Sequence, residues 1–189
     1  FGALASKFIP EEDLATLQVN LIRSHCTGIG EPFSEKFVRA IMILRTNCLC
    51  SGFSGINPKI VNLLKDFVNI GIVPIIPQKG SVGASGDLAP LAHLSLALIG
   101  EGYVNYNGER LKTKKLYEEL NINSVELGPK EGLALLNGTQ FMSAHATYAA
   151  IKMDRVFSIL NKISSISIDA FNCRLSPFNP KVHLVRPYS

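Results

Sequence analysis

Apolar residues recur along most of the chain at helical spacing. After Pro10-Glu11-Glu12-Asp13, Leu14, Leu17, Leu21 and Ile22 fall on one face, with acids at the start as a helix dipole favours. Ser34 stands where a cap belongs before Phe37, Val38, Ile41 and Leu44, and Gly52 closes that segment. Asn57-Pro58 reads as a cap with proline at the first helical position, and Gly71 as the terminator. Val73 to Gln78 carries two prolines and reads as an extended connector. From Leu88 to Ile99 the pattern loses its polar face, which predicts a helix buried on every side, with Asp87 as its cap and Pro90 in its first turn. Tyr103–Tyr106 and Glu109–Lys112 flank Asn107-Gly108, a strong hairpin signal. A short helix near 114–120, another opening at Pro129 and ending at Asn137-Gly138, and a long periodic segment from Thr139 to Phe171 follow. The expected fold is mainly α: a long-helix bundle with one small β-hairpin, in a single partial domain over residues 1–189.

Composition narrows the function classes. Hydrophobic residues make up 47% and charged residues 18% of 189, enough apolar material for a packed core. The net charge of +4 is dispersed, and the densest basic cluster, Lys112-Thr113-Lys114-Lys115, runs into Glu118-Glu119. That is a solvated helix start, so no nucleic-acid partner is expected. No apolar run reaches the length of a membrane span, and no signal peptide is visible, so neither a membrane nor a secretory route is expected. Cys26, Cys48, Cys50 and Cys173 lack metal-ligand spacing and read as reduced thiols of a cytoplasmic protein, with no metal site. A start at Phe1 and a polar end at Ser189 suggest a piece of a longer polypeptide.

The stretch that demands chemistry is Gly83-Ala84-Ser85-Gly86, set directly before the most buriable helix. It is not a P-loop, because Gly86 precedes Asp87 rather than Lys-Ser/Thr, and an acid there repels phosphate. It is not a nucleophile elbow, because Asp87 stands where the last glycine of G-x-S-x-G belongs. No strand precedes it to make a dinucleotide fingerprint. One reading is a glycine-rich cap on a core helix. The other is reactive backbone: the Gly86 amide nitrogen attacks the Ala84 carbonyl carbon, closing a five-membered ring around Ser85. Loss of two waters, one from the ring and one from the Ser85 hydroxyl, then leaves an electrophilic exocyclic methylene. Gly86 suits this because it lacks a Cβ, Ala84 because it is small, and the helix N-terminus behind them favours developing negative charge.

"GSVGASGDLAPLAH" resembles the signature of the aromatic amino acid ammonia-lyases, in which Ala-Ser-Gly becomes a 4-methylidene-imidazol-5-one group. The likeness extends through "FGALAS", "LQVNLIRSHCTGIGEP", "CSGFSGI", "KEGLALLNGTQ" and "RLSPF", in order along nearly the whole chain. It implies a carbon-nitrogen lyase whose cofactor forms autocatalytically from Ala84, Ser85 and Gly86, with Asp87 supporting maturation and no external cofactor. The partner it implies is a small-molecule substrate, an amino acid. In this family the pair before the small-x-Gly turn tracks selectivity: Ser-His in members acting on histidine, His-Leu for tyrosine, usually Phe-Leu for phenylalanine. Ser24-His25 therefore points to L-histidine and trans-urocanate, with the His25 ring hydrogen-bonding the substrate imidazole. By itself, a histidine there reads as a cap on the end of its own helix.

Asn137-Gly138 likewise reads locally as a helix terminator with left-handed geometry, and Asn137-Gly138-Thr139 is formally a glycosylation sequon. The resemblance instead places Asn137 beside the ring, near the substrate amine or carboxylate. His93, His145 and His183 match no catalytic position and read as structural. The family also implies a homotetramer whose sites combine several chains. Its loop tyrosine lies upstream of Phe1, and its downstream tyrosine, arginine and glutamate lie beyond Ser189. The chain is thus expected to carry the electrophile precursor and part of a pocket, but no convincing base or carboxylate clamp. Activity on phenylalanine or tyrosine, an aminomutase, and an inactive piece that only folds or associates are the alternatives.

Overall fold

The structure, a computed structural model, describes residues 9–83 and 86–185. The catalytic candidates Ala84 and Ser85 lie outside the described residues. Contacts divide the chain into two units, Phe1–Ala146 and Thr147–Ser189. The first opens with a 3-10 turn, Glu11–Asp13, that leads into α1, Leu14–His25. Then come β1 (Ile29–Pro32), α2 (Glu35–Cys50), α3 (Pro58–Ile70), β2 (Val73–Pro74), β3 (Pro77–Lys79), α4 (Leu88–Leu98), β4 (Tyr103–Tyr106), β5 (Glu109–Lys112), α5 (Thr113–Leu120) and α6 (Glu131–Leu136). Helix α7, Gln140–Ala170, begins in this unit and runs into the second.

The local signals for α3 act as their chemistry requires. The Asn57 side chain accepts the Lys59 N–H at 3.0 Å, Pro58 opens the helix, and Gly71 ends it at φ 84°, where a Cβ would be strained. Ile60, Leu64 and Phe67 project from one side of α3 into a common core with Val38, Ile41 and Met42 of α2. Helix α4 is central. Eight of its eleven residues are buried, so it has no solvent face, and it packs against α1, α3 and α6. Tyr117 of α5 donates its hydroxyl to the Ala97 carbonyl at 2.8 Å, a second donor beside the Gly100 N–H at the end of α4.

The hairpin forms in the expected register, Tyr106 opposite Glu109 and Val104 opposite Leu111, with Asn107 and Gly108 both at positive φ. The connector from Val73 to Gln78 is extended, as its prolines require, but it also pairs at both ends. β2 joins β4 to make a three-stranded antiparallel sheet, and β3 joins β1 antiparallel. Helix α6 starts at Glu131, two residues after Pro129, because Lys130 adopts a left-handed conformation. The Glu131 carboxylate is buried and accepts the backbone N–H groups of Asn57 and Gly128, each at 2.6 Å.

The second unit comprises the remainder of α7, a 3-10 turn at Ser176–Phe178, and α8 (Pro180–Leu184), which is capped by the Asn179 side chain. Ile151, Phe157, Leu160 and Ile163 of α7 are exposed in this chain. Among the described residues no helix is long and apolar enough to cross a membrane.

Candidate functional site

Gly86 is the first described residue after the Ala84-Ser85 pair, and its backbone is unusual. Its φ is +110°, and a Cβ there would sit 2.6 Å from Asn137 Oδ1 and 3.1 Å from the Gly138 nitrogen. Only glycine fits both the conformation and the space. The segment 137–142, which joins α6 to α7, forms the wall against it. Asp87 is fully buried and bonds this wall with both backbone and side chain. Its N–H donates to the Gly138 carbonyl at 2.9 Å. Its Oδ2 accepts the Met142 N–H at 3.1 Å, and its Oδ1 accepts the Ser81 hydroxyl at 2.7 Å. Asp87 thus occupies the cap position of α4 without capping that helix through its side chain. The sequence expectation is corrected here: the carboxylate satisfies an orphan donor in the first turn of α7, a helix that begins some fifty residues later. Asn137 is corrected too. It is exposed and extended, at φ −99° and ψ 110°, rather than left-handed.

His25 reaches the same place from α1. A cavity of about 170 Å3 is lined by Ser24, His25, Thr27, Val82, Gly86 and Leu88, among others. That is smaller than the roughly 300–1,000 Å3 usual for small-molecule sites. The His25 ring caps its own helix: Nδ1 lies 2.8 Å from the Leu21 carbonyl, which can only accept, so Nδ1 carries the proton. The capping and binding readings are therefore compatible, because the cap uses Nδ1 and leaves Nε2 uncommitted.

His93 of α4 holds the adjoining turn. Its Nε2 accepts the Gly28 N–H at 3.1 Å, and a Cβ on Gly28 would meet that nitrogen at 3.0 Å. Burial lowers the His93 pKa below its ordinary value of 6.5. The unfolded chain therefore binds a proton first, so this contribution to stability is complete above pH 6.5 and declines as pH falls below it. In the full-length protein the unfolding midpoint should fall from pH 7 toward pH 5, and His93→Gln should flatten that slope. An unchanged slope in thermal unfolding would show that His93 is not the group responsible.

Sequence reasoning missed Arg45. It lies on α2 at the buried spacing of Val38, Ile41, Met42 and Leu49, where a charge is unexpected, and it is only 2% exposed. Its guanidinium donates to the carbonyls of Ala134 and Asn137, the latter at 3.0 Å, and to Gln140 Oε1 at 2.5 Å. The position of that charge within an apolar helical face was the available signal. Other groups nearby are quiet. Burial and the Glu101 charge push the Cys26 thiol up to about 11, so it is no thiolate nucleophile at neutral pH. His145 packs against the rings of Phe33, Phe37 and Phe141 with centroids 4.4–5.7 Å apart, and His183 belongs to the second unit. Among the described residues no group of three or more His, Cys, Asp or Glu could hold a metal ion.

This mainly helical fold is that of a known class of enzyme structures, and the chain belongs to the aromatic amino acid lyase family, whose profile matches residues 1–189. The histidine ammonia-lyase of Geobacillus thermodenitrificans is 45% identical over 188 residues, covering 100% of this chain and 37% of that protein. Among solved structures, histidine ammonia-lyase from Trypanosoma cruzi superposes with a TM-score of 0.91 at 38% identity, over 98% of this chain and 36% of its own. Phenylalanine aminomutase from Pantoea agglomerans gives 0.93 at 35% identity, over 100% of this chain and 36% of its own. The chain thus spans little more than a third of the length of these relatives.

Proposed function

We propose that this chain supplies the electrophile-bearing wall of a histidine ammonia-lyase. In this reading residues 1–189 are a single partial domain, the N-terminal portion of a longer protein that eliminates ammonia from L-histidine to give trans-urocanate. The observation that carries it is the convergence of Gly86, Asp87, Asn137 and His25 on one corner of the fold. The kinship with proteins named histidine ammonia-lyase supports the same reaction class.

The residues present fit a 4-methylidene-imidazol-5-one group formed from Ala84, Ser85 and Gly86. Ring closure needs the Gly86 nitrogen turned toward a carbonyl two residues back, and a backbone at φ +110°, open only to glycine, supports that turn. When present, the group supplies an electrophilic carbon that makes the substrate amine a better leaving group and provides an electron sink. Asp87 fixes the segment by its bonds to Ser81, Gly138 and Met142. Asn137, beside Gly86, orients the amine or carboxylate end of the substrate. His25, with Nδ1 committed to Leu21, offers Nε2 as an acceptor for the substrate imidazole N–H. The base for the β-proton and the carboxylate clamp come from the rest of the chain or from neighbouring subunits of a cytoplasmic homotetramer.

The deciding experiment is a steady-state assay of the full-length protein with histidine, phenylalanine and tyrosine. Preferential release of ammonia and urocanate from histidine supports the reading. Preference for phenylalanine or tyrosine, or a β-amino acid product, would move the protein to another lyase or an aminomutase. Absence of turnover with all three would leave a piece that only folds or associates.

A further inference from the structure

Arg45 is a charge in the core with no carboxylate to meet it among the described residues, and its Nε–H has no acceptor there either. Burial lowers its pKa. A chain that keeps such a group in an otherwise apolar helical face obtains something other than core stability from it. The acceptors identify what that is. Ala134 and Asn137 offer the free carbonyls at the C-terminal end of α6, and Gln140 is the first residue of α7. One planar guanidinium therefore spans the whole corner between the two helices.

The opposite side of that corner carries the reactive segment. Gly138 accepts the Asp87 N–H, Met142 donates to the Asp87 carboxylate, and Asn137 crowds Gly86. Gly138 itself is packed so closely against Arg45 and Gln140 that a side chain there would displace both. The order of contact is unbroken: α2, Arg45, the 137–142 corner, then Gly86 and Asp87. We propose that Arg45 is a positioning residue for ring formation, holding the corner that in turn holds the Gly86 nitrogen in place. This rests on the ring reading of the same site. The step it serves is balanced without any oxidant. A bond forms between the Gly86 nitrogen and the Ala84 carbonyl carbon. That carbonyl oxygen leaves as one water, taking the Gly86 and Ser85 amide hydrogens as the ring C=N forms to the Ser85 nitrogen, and the Ser85 hydroxyl leaves with the Ser85 α-hydrogen as the other.

The test is maturation itself, read as the intact mass of the purified full-length protein over time after synthesis. Wild type should lose the mass of two waters. Arg45→Met removes all the donors at similar length, and displacement of the corner by about an ångström should slow the loss roughly a hundredfold. Arg45→Lys keeps the charge but can serve fewer of the three acceptors, so it should mature at an intermediate rate. Gln140→Leu, which removes one acceptor at a half-buried position, covers the case in which Arg45→Met does not fold, and should slow maturation severalfold. Leu64→Ala, a fully buried change on α3, controls for loss of stability and should mature at the wild-type rate. Wild-type maturation rates in the folded Arg45 and Gln140 variants, or equal slowing in Leu64→Ala, would overturn the proposal while leaving the ring reading intact. A wild-type protein of full encoded mass would overturn both.

Discussion

The full-length protein carrying Ser85→Ala is expected to fold with wild-type helix content and to lose turnover by about 10^3-fold or more, at least about 4 kcal/mol of barrier at 1.36 kcal/mol per tenfold. The exocyclic carbon of the ring can come only from the Ser85 side chain, whereas alanine is in keeping with the run of small residues Gly83-Ala84-Ser85-Gly86. Gly86 keeps its glycine-only backbone, and Asp87 keeps its bonds to Ser81, Gly138 and Met142. Far-ultraviolet circular dichroism should therefore match wild type while the two-water mass deficit disappears. Turnover close to wild type in this variant would remove the ring from the mechanism.

The elements that were legible in the sequence are those whose signals are local. Asn57, Pro58 and Gly71 bracket the thirteen residues of α3 at their two ends, and Asn107-Gly108 sets the hairpin register by demanding positive φ at two adjacent positions. The burial of α4 was legible because no polar stripe interrupts it. What the sequence concealed is non-local. β1 pairs with β3 across more than forty residues, and neither strand has the alternation that advertises a strand, since both contain proline. Asp87 has the sequence context of a cap and becomes one, but for α7, because the donor it meets at Met142 arrives only through tertiary packing.

The same division holds at the site. Gly86 and His25 could be picked out from residue type and motif, since each has a local chemical reason to be where it is. The two readings of His25 could not be separated in the sequence, because the same residue caps the end of its helix and lines the cavity. Arg45 was visible only as an oddity in a helical face. Its meaning lies in carbonyls nearly ninety residues away, which no spacing rule reaches.

His25→Leu is expected to lower histidine turnover by the full-length protein about ten- to a hundredfold, and to move relative preference toward phenylalanine and tyrosine. Leucine cannot accept the substrate imidazole N–H, so a polar group is desolvated without a partner, a loss of about 1–3 kcal/mol. A phenyl ring has no such group to leave unpaired and loses little. The substitution also deletes the Nδ1 hydrogen bond to Leu21, worth about 0.5–1.5 kcal/mol to the fold. That second effect is independent of substrate, so it lowers the unfolding midpoint and all three activities together. The ratio of kcat/KM between histidine and phenylalanine cancels it. A ratio that moves by tenfold or more assigns Nε2 to substrate recognition. If the midpoint falls and the ratio stays fixed, His25 is a helix cap alone, and any preference for histidine resides in other residues.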